Sequence, residues 1–196
     1  MIRIGILALQ GDFQKHAEHV RTLGAEVVLV RTPEELDAID GLIIPGGEST
    51  TIGKLLVAYG VAEPLKTRVS AGMPLFGTCA GLILMAREIE GYDQFRLGLL
   101  DVTVSRNAYG RQIESFEAEI PVDTPMLNSV HGVFIRAPKI VRLGSDVEVL
   151  ARYEDDPVMV RQGNLLAASF HPELTDNNEI HRYFLEMAHC QREIHV

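Results

Sequence analysis

Residues 77–81, Gly77-Thr78-Cys79-Ala80-Gly81, restrict what this chain can fold into more than any other stretch. They follow the apolar run Pro74-Leu75-Phe76 and precede the helix-like run Leu82-Ile83-Leu84-Met85-Ala86. A strand, a tight turn and a helix, with one thiol at the turn, have the form of a nucleophile elbow. Small neighbours let the backbone bend sharply and push the central side chain into the open. A helix starting there aims free N–H groups at the sulfur and favours the thiolate. Cys79 also reads as a small buried hydrophobe, the usual fate of a free cysteine. The glycine and alanine around it tip the reading toward nucleophile.

The pattern around the elbow gives the fold class. Ile2 to Leu9 is a nearly continuous apolar run, as expected of a strand covered on both faces. Phe13, His16, Ala17, Val20 and Leu23 recur at helical spacing, with Asp12 placed to cap and Gly24 to stop the helix. Glu26 to Val30, Gly41 to Pro45 and Met73 to Gly77 read as further strands. Ile52, Leu55, Leu56 and Tyr59 mark a second helix, and Pro64 fits the first turn of a third. This alternation predicts an α/β fold, a mostly parallel central sheet flanked by helices. In such sheets the site lies at the carboxyl ends of the strands. The loops after Leu9, Pro45 and Gly77 are therefore expected to converge.

From about residue 99 the pattern becomes strand-rich: Asp101 to Val104, Ser115 to Ile120, Gly132 to Arg136 and Val147 to Tyr153. Val158 to Arg161 and Leu165 to Phe170 read as a hairpin turning at Gly163-Asn164, with its register open at Gln162. A last helix carries Ile180, Phe184, Met187 and Ala188 on one face, with Asp176 and Glu179 placed as a capping box. With 196 residues and no linker or repeat, the chain reads as one domain.

The net charge of −9 argues against nucleic acid or an anionic membrane as partner. Two cysteines, Cys79 and Cys190, make no disulfide framework and point to a reduced, cytoplasmic setting. The start reads directly as a strand rather than a signal peptide, and no apolar run reaches membrane-spanning length.

An elbow cysteine acting as nucleophile needs a base and an acidic orienter. Phe170-His171-Pro172-Glu173 follows the last strand. On an extended segment His171 and Glu173 point to the same side, so the carboxylate fixes one ring nitrogen while the other faces the thiol. Alone, the motif equally fits a solvated surface turn. Pro45-Gly46-Gly47-Glu48-Ser49-Thr50-Thr51 follows a buried strand. The Gly47 and Ala80 N–H groups are natural donors to an oxyanion, and Ser49 is placed to cap a helix. A phosphate-binding P-loop is excluded, because five residues separate Gly47 from Gly53 and Leu55 follows Lys54. In Ser105-Arg106-Asn107-Ala108-Tyr109-Gly110-Arg111-Gln112, Arg106 or Arg111 is suited to clamp a carboxylate, though the stretch also fits a solvated loop.

Taken together, these motifs resemble the class I glutamine amidotransferases with their Cys-His-Glu triad. Within that class they are similar to the glutaminase subunits of pyridoxal 5′-phosphate synthase. The resemblance rests on Leu9-Gln10-Gly11-Asp12, the Pro45 to Thr51 loop, Phe76 to Leu82, Arg106 to Gln112, Gly132 to Pro138 and Ser169 to Thr175. It covers nearly the whole chain. It implies hydrolysis of L-glutamine to glutamate and ammonia without cofactor or metal. The ammonia would pass to a synthase subunit within a large hetero-oligomer. By position it implies Cys79 as nucleophile, His171 as general base and acid, and Glu173 as orienter. Gly47, Glu48, Ser49, Arg106, Ile135 and Arg136 would line the glutamine site. Gln10 would sit near the oxyanion region and the synthase interface. Ser105 and Tyr109 depart from the commonest family pattern beside the substrate arginine. A stand-alone cysteine hydrolase on the same scaffold is the alternative; it would need neither the Gly-Gly-Glu-Ser loop nor Arg106.

Overall fold

Strand and helix alternate as the apolar periodicity requires. The computed structural model describes residues 1–106 and 115–194; Tyr109 and Arg111 lie outside them. The chain runs β1 (Arg3–Leu7), α1 (Phe13–Thr22), β2 (Glu26–Val30), a 3₁₀ turn (Pro33–Ala38), β3 (Gly41–Ile44), α2 (Ser49–Ala58), α3 (Ala62–Ser70), β4 (Leu75–Thr78) and α4 (Ala80–Met85). It continues through β5 (Ala86–Ile89), β6 (Leu100–Ser105), β7 (Ser115–Thr124), β8 (Leu127–Ile135), β9 (Lys139–Leu143), β10 (Glu148–Tyr153), β11 (Asp156–Gln162), β12 (Leu165–Ala168), a 3₁₀ turn (Pro172–Leu174) and α5 (Glu179–Ile194).

One large sheet has the order β2-β1-β3-β4-β12-β11-β10-β7-β8. Its first five strands are parallel and the rest antiparallel. A second sheet, β5-β6-β9, packs beside it. Alternate residues of the parallel strands enter opposite cores. Leu42, Ile44, Leu75, Leu165 and Ala167 meet α2, α3, α4 and the small sheet. Ile4, Ile6, Ile43, Phe76, Leu166 and Ala168 meet α1 and α5. Burying each such aliphatic or aromatic side chain contributes about 1.5–3 kcal/mol.

Several local expectations change. The helix after the elbow stops at Met85, and Ala86–Ile89 pairs with β6 as a strand. Strand β9 has no counterpart in the sequence reading, and β8 begins at Leu127, earlier than Gly132. Asp12 stands at the α1 N-cap but its side chain makes no capping bond. At α5, Asn177 Oδ1 accepts from the Glu179 N–H at 2.7 Å, in place of an Asp176 box. The β11–β12 hairpin has a settled register, with Gln162 opposite Leu165 and a two-residue Gly163-Asn164 turn. No helix among the described residues is long and apolar enough to cross a membrane.

The elbow depends on a close approach of α4 to β3. A Cβ on Gly81 would lie 2.3 Å from the Ile44 carbonyl oxygen, which belongs to the sheet backbone and cannot swing aside. Gly81→Ala is expected to destabilise the protein by about 1–3 kcal/mol, the usual cost of overpacking. A chemical denaturation midpoint unchanged from the wild type would contradict this packing.

Candidate active site

Four parallel strands end on one edge, and each hands its next residues to the same place. After β1 comes Gln10, whose Oε1 accepts from the Glu48 N–H at 2.9 Å. After β3, the Gly46 carbonyl accepts from the Asp12 N–H at 3.3 Å. Cys79 follows β4 and His171 follows β12. The convergence expected from the sheet topology is observed.

Cys79 adopts φ 49° and ψ −101°, a conformation non-glycine residues avoid. Its Sγ lies 4.0 Å from the Ile135 carbonyl oxygen, and the residue is 8% exposed. Arg136, next to Ile135, also has a positive φ of 44°. The third such non-glycine residue among those described, Glu154, sits in the β10–β11 hairpin turn. One strained residue thus carries the sulfur and another follows the carbonyl that faces it, and strain of this kind collects at functional sites. Ala80 opens α4, where helical N–H groups lack partners within the helix.

His171 is anchored by its own N–H, which donates to the Val133 carbonyl at 2.8 Å. Its ring lies against the glycine loop: a Cβ on Gly46 would fall 2.3 Å from His171 Cε1, so only glycine fits. Nδ1 is 2.7 Å from Glu173 Oε1. The pairing was expected, but its geometry differs from an extended segment. Pro172–Leu174 form a 3₁₀ turn, and the turn brings the 1% exposed Glu173 back under the ring. Burial works against the charged imidazolium, yet hydrogen bonds with Cys79 and Glu173 and their negative charge outweigh it. The His171 pKa is pushed up to about 10.

Around this centre lies a polar rim. Glu48, not Ser49, caps α2: its extended backbone lets the carboxylate accept from the Thr50 and Thr51 N–H groups at 3.1 and 2.7 Å. Partial burial opposes its charge, but the Thr51 and Thr50 hydrogen bonds hold its pKa down at about 2. Ser49 turns inward instead, accepting from Gln94 Nε2 at 3.1 Å. Arg106 Nη1 donates to Gln94 Oε1 at 2.6 Å, and Nη2 stands 3.5 Å from Glu48 Oε1. Its guanidinium lies 4.8 Å from the Tyr92 ring. The structure therefore brings together Gln10, Gly46, Gly47 and Glu48 on one side, Ser49 and Arg106 beside them, and Cys79, Ala80, Ile135, Arg136, His171 and Glu173 at the centre. Chemically, this is a thiol with an adjacent proton carrier, a buried orienting carboxylate and a fixed guanidinium nearby.

A sequence profile described as the SNO glutamine amidotransferase family matches residues 6–190. The chain belongs to this family. It is 53% identical over 186 residues to a pyridoxal 5′-phosphate synthase subunit PdxT from Thermotoga petrophila, covering 95% of this chain and 99% of that one. It is 58% identical over 187 residues to the protein of that name from Thermus thermophilus, covering 94% and 97%. A crystal structure of a glutamine amidotransferase superposes with a TM-score of 0.92 at 57% identity, covering 95% of this chain and 98% of that one. A putative GMP synthase subunit from Thermoplasma acidophilum shares the fold at a TM-score of 0.71 and 18% identity, covering 100% and 98%.

Sequence reasoning did not single out several residues that pack around the candidate site. Gln94 and Tyr92 lie in an irregular stretch without periodicity, and no local signal marks them. His16 and His181 each sit on an apolar helix face and are fully buried. A histidine on an apolar stripe was the available signal, and its usual reading is a core residue.

The raised His171 pKa has a consequence for stability. A group whose folded pKa lies above its ordinary value of 6.5 stabilises the fold fully below that value, and the contribution is lost as pH rises through about 10. The stability difference between the wild type and His171→Gln is expected to be largest near pH 6 and to shrink steadily toward pH 10 in denaturant titrations. A difference independent of pH would refute the protonated assignment.

Proposed function

We propose that this chain hydrolyses L-glutamine to L-glutamate and ammonia at Cys79, in the cytoplasm. It passes the ammonia to the synthase subunit of pyridoxal 5′-phosphate synthase for vitamin B6 biosynthesis. Membership of the glutamine amidotransferase family and the names of the PdxT relatives support the reaction and the partner. The observation that carries the reading is Cys79 on a strained elbow, with His171 facing it and backed at 2.7 Å by buried Glu173. Residues 1–196 act as one glutaminase domain.

The Cys79 sulfur attacks the side-chain amide carbon of glutamine. The N–H groups of Gly47 and Ala80 receive the charge that develops on the oxygen. The His171 proton goes to the departing nitrogen, leaving a γ-glutamyl thioester. His171, now neutral, takes a proton from water as that water attacks the thioester; the carbon–sulfur bond then breaks, releasing glutamate and restoring the Cys79 thiolate beside protonated His171. Glu173 holds the ring through Nδ1, so that the other nitrogen serves both steps. Arg106 binds the α-carboxylate, with Gly47, Glu48, Ser49, Ile135 and Arg136 lining the rest of the pocket. Gln10, bonded to the Glu48 N–H, ties the oxyanion loop to the edge where the synthase docks.

Ammonia release from glutamine, assayed with the synthase subunit present and absent, tests the reading. Cys79→Ala and Cys79→Ser are expected to abolish turnover while leaving the melting temperature near that of the wild type. Normal turnover by either would overturn the proposal. Glu173→Ala is expected to retain a residual kcat about 10²- to 10⁴-fold lower, because it orients rather than attacks. Arg106→Met is expected to raise KM for glutamine with a smaller change in kcat. Activity independent of the synthase and of Arg106 would favour a stand-alone hydrolase.

A further inference from the structure

Behind the triad lies a group of histidines that the reaction as described does not use. Glu173 has two carboxylate oxygens, both buried. Oε1 faces His171, whereas Oε2 has no well-aligned hydrogen bond. His16 Nε2 from α1 lies 3.4 Å from Oε2 and 3.2 Å from Thr78 Oγ1. His16 Nδ1 in turn lies 2.9 Å from His181 Nε2 on α5. His181 stacks on His19, with ring centroids 4.4 Å apart, and His19 Nε2 is 3.2 Å from the Glu173 carbonyl oxygen.

We propose that His16, oriented by His181, is a positioning residue for the glutaminase triad: its Nε2–H faces the second oxygen of Glu173 and holds the carboxylate in the rotamer that serves His171. This rests on the glutaminase reading above.

The hydrogen-bond bookkeeping selects one tautomer. If Nε2 of His16 carries the proton, that N–H lies within hydrogen-bond distance of Thr78 Oγ1 and faces Glu173 Oε2 at 3.4 Å, and Nδ1 accepts from the His181 Nε2–H. Among the described residues His181 Nδ1, which has no partner, then carries only a lone pair, and Glu173 Oε2 has the His16 N–H as its one near donor, at 3.4 Å and poorly aligned. With the proton on Nδ1 instead, a lone pair of His16 would face the carboxylate. His181 would then bury an N–H with no acceptor, which is the costlier orphan. A doubly protonated His16 is disfavoured by burial and by its neighbours His181, His171 and His19, which set its pKa well below the ordinary value. Burial and His19 likewise bring His181 down to about 3. A neutral donor restrains Glu173 without neutralising it, so the carboxylate charge remains available to His171.

Among the described residues, the titratable groups around the His171–Glu173 pair are Cys79 from the elbow, His16 and His19 from α1, and His181 from α5, which reaches the pair through His16. The test compares His16→Leu with His16→Gln in the complex with the synthase. The glutamine amide nitrogen can occupy the place of Nε2 and donate to Glu173; leucine cannot. For His16→Leu, kcat is expected to fall about tenfold with KM unchanged, and the alkaline limb of the kcat profile to move to lower pH. His16→Gln is expected to restore most of both. Histidine ¹⁵N NMR of the wild-type protein gives a readout that needs no variant to fold, and His16 is expected as the neutral Nε2–H tautomer throughout the neutral range. An Nδ1–H tautomer would overturn the proposal. So would equal losses in the two variants at matched melting temperature, or a His16→Leu enzyme with wild-type kcat and pH profile. A wild-type complex that releases no ammonia defeats the functional reading and the positioning role with it. A wild type that turns over, matched by His16→Leu, defeats only the role of His16.

Discussion

A carboxylate with 1% of its surface exposed stands at the centre of this molecule, and His171 is built against it. Removing an ion from water costs several kcal/mol unless a well-placed partner compensates. Glu173 meets that requirement with the ring of His171 at 2.7 Å. The compensation runs both ways, because Glu173 and Cys79 together keep a proton on a histidine whose own burial would strip it. The pair holds only if the 3₁₀ turn after β12, the glycine loop after β3 and the elbow after β4 stay in register. The parallel sheet provides that register.

Strain and close approach are concentrated on the same edge. Cys79 and Arg136 both adopt positive φ, and the carbonyl of Ile135, next to Arg136, faces the Cys79 sulfur. Gly46 lets the loop backbone press on the His171 ring, and Gly81 lets α4 press on β3. Each feature is costly alone. They persist because two apolar cores, one on either face of the sheet, fix the elements that carry them. Away from the edge the sheet is ordinary, with alternating residues entering each core.

Much of the site was legible because its chemistry is local in sequence. The elbow is five consecutive residues, the His-Pro-Glu unit three and the glycine loop seven. A period of 3.6 marks the helices of the first half and continuous apolar runs mark its strands, since the helices bury one face and the strands two. Legibility failed where a residue's role depends on a neighbour from far along the chain. Ser49 reads as a cap, yet Glu48 takes that role because its longer side chain reaches the Thr51 N–H while Ser49 turns toward Gln94. Strand β9 has a burial pattern with no clean alternation, and it exists because β6 offers it an edge.

By itself, the sequence determined the alternation of strands and helices, the sharp turn at Cys79 and the presence of a base and an orienter on one short segment. These follow from periodicity, side-chain size and backbone freedom, all properties of neighbouring residues. Only the tertiary structure decided that Cys79 and Glu173 raise the His171 pKa against its burial, that a turn rather than an extended segment sets it on Glu173, and that Arg106 is held by Gln94 over the Tyr92 ring. It alone placed His16 and His181, 165 residues apart, end to end behind the carboxylate. Protonation and orientation in a buried site depend on every charge and donor within a few ångströms, and folding chooses those neighbours without regard to their order in the chain.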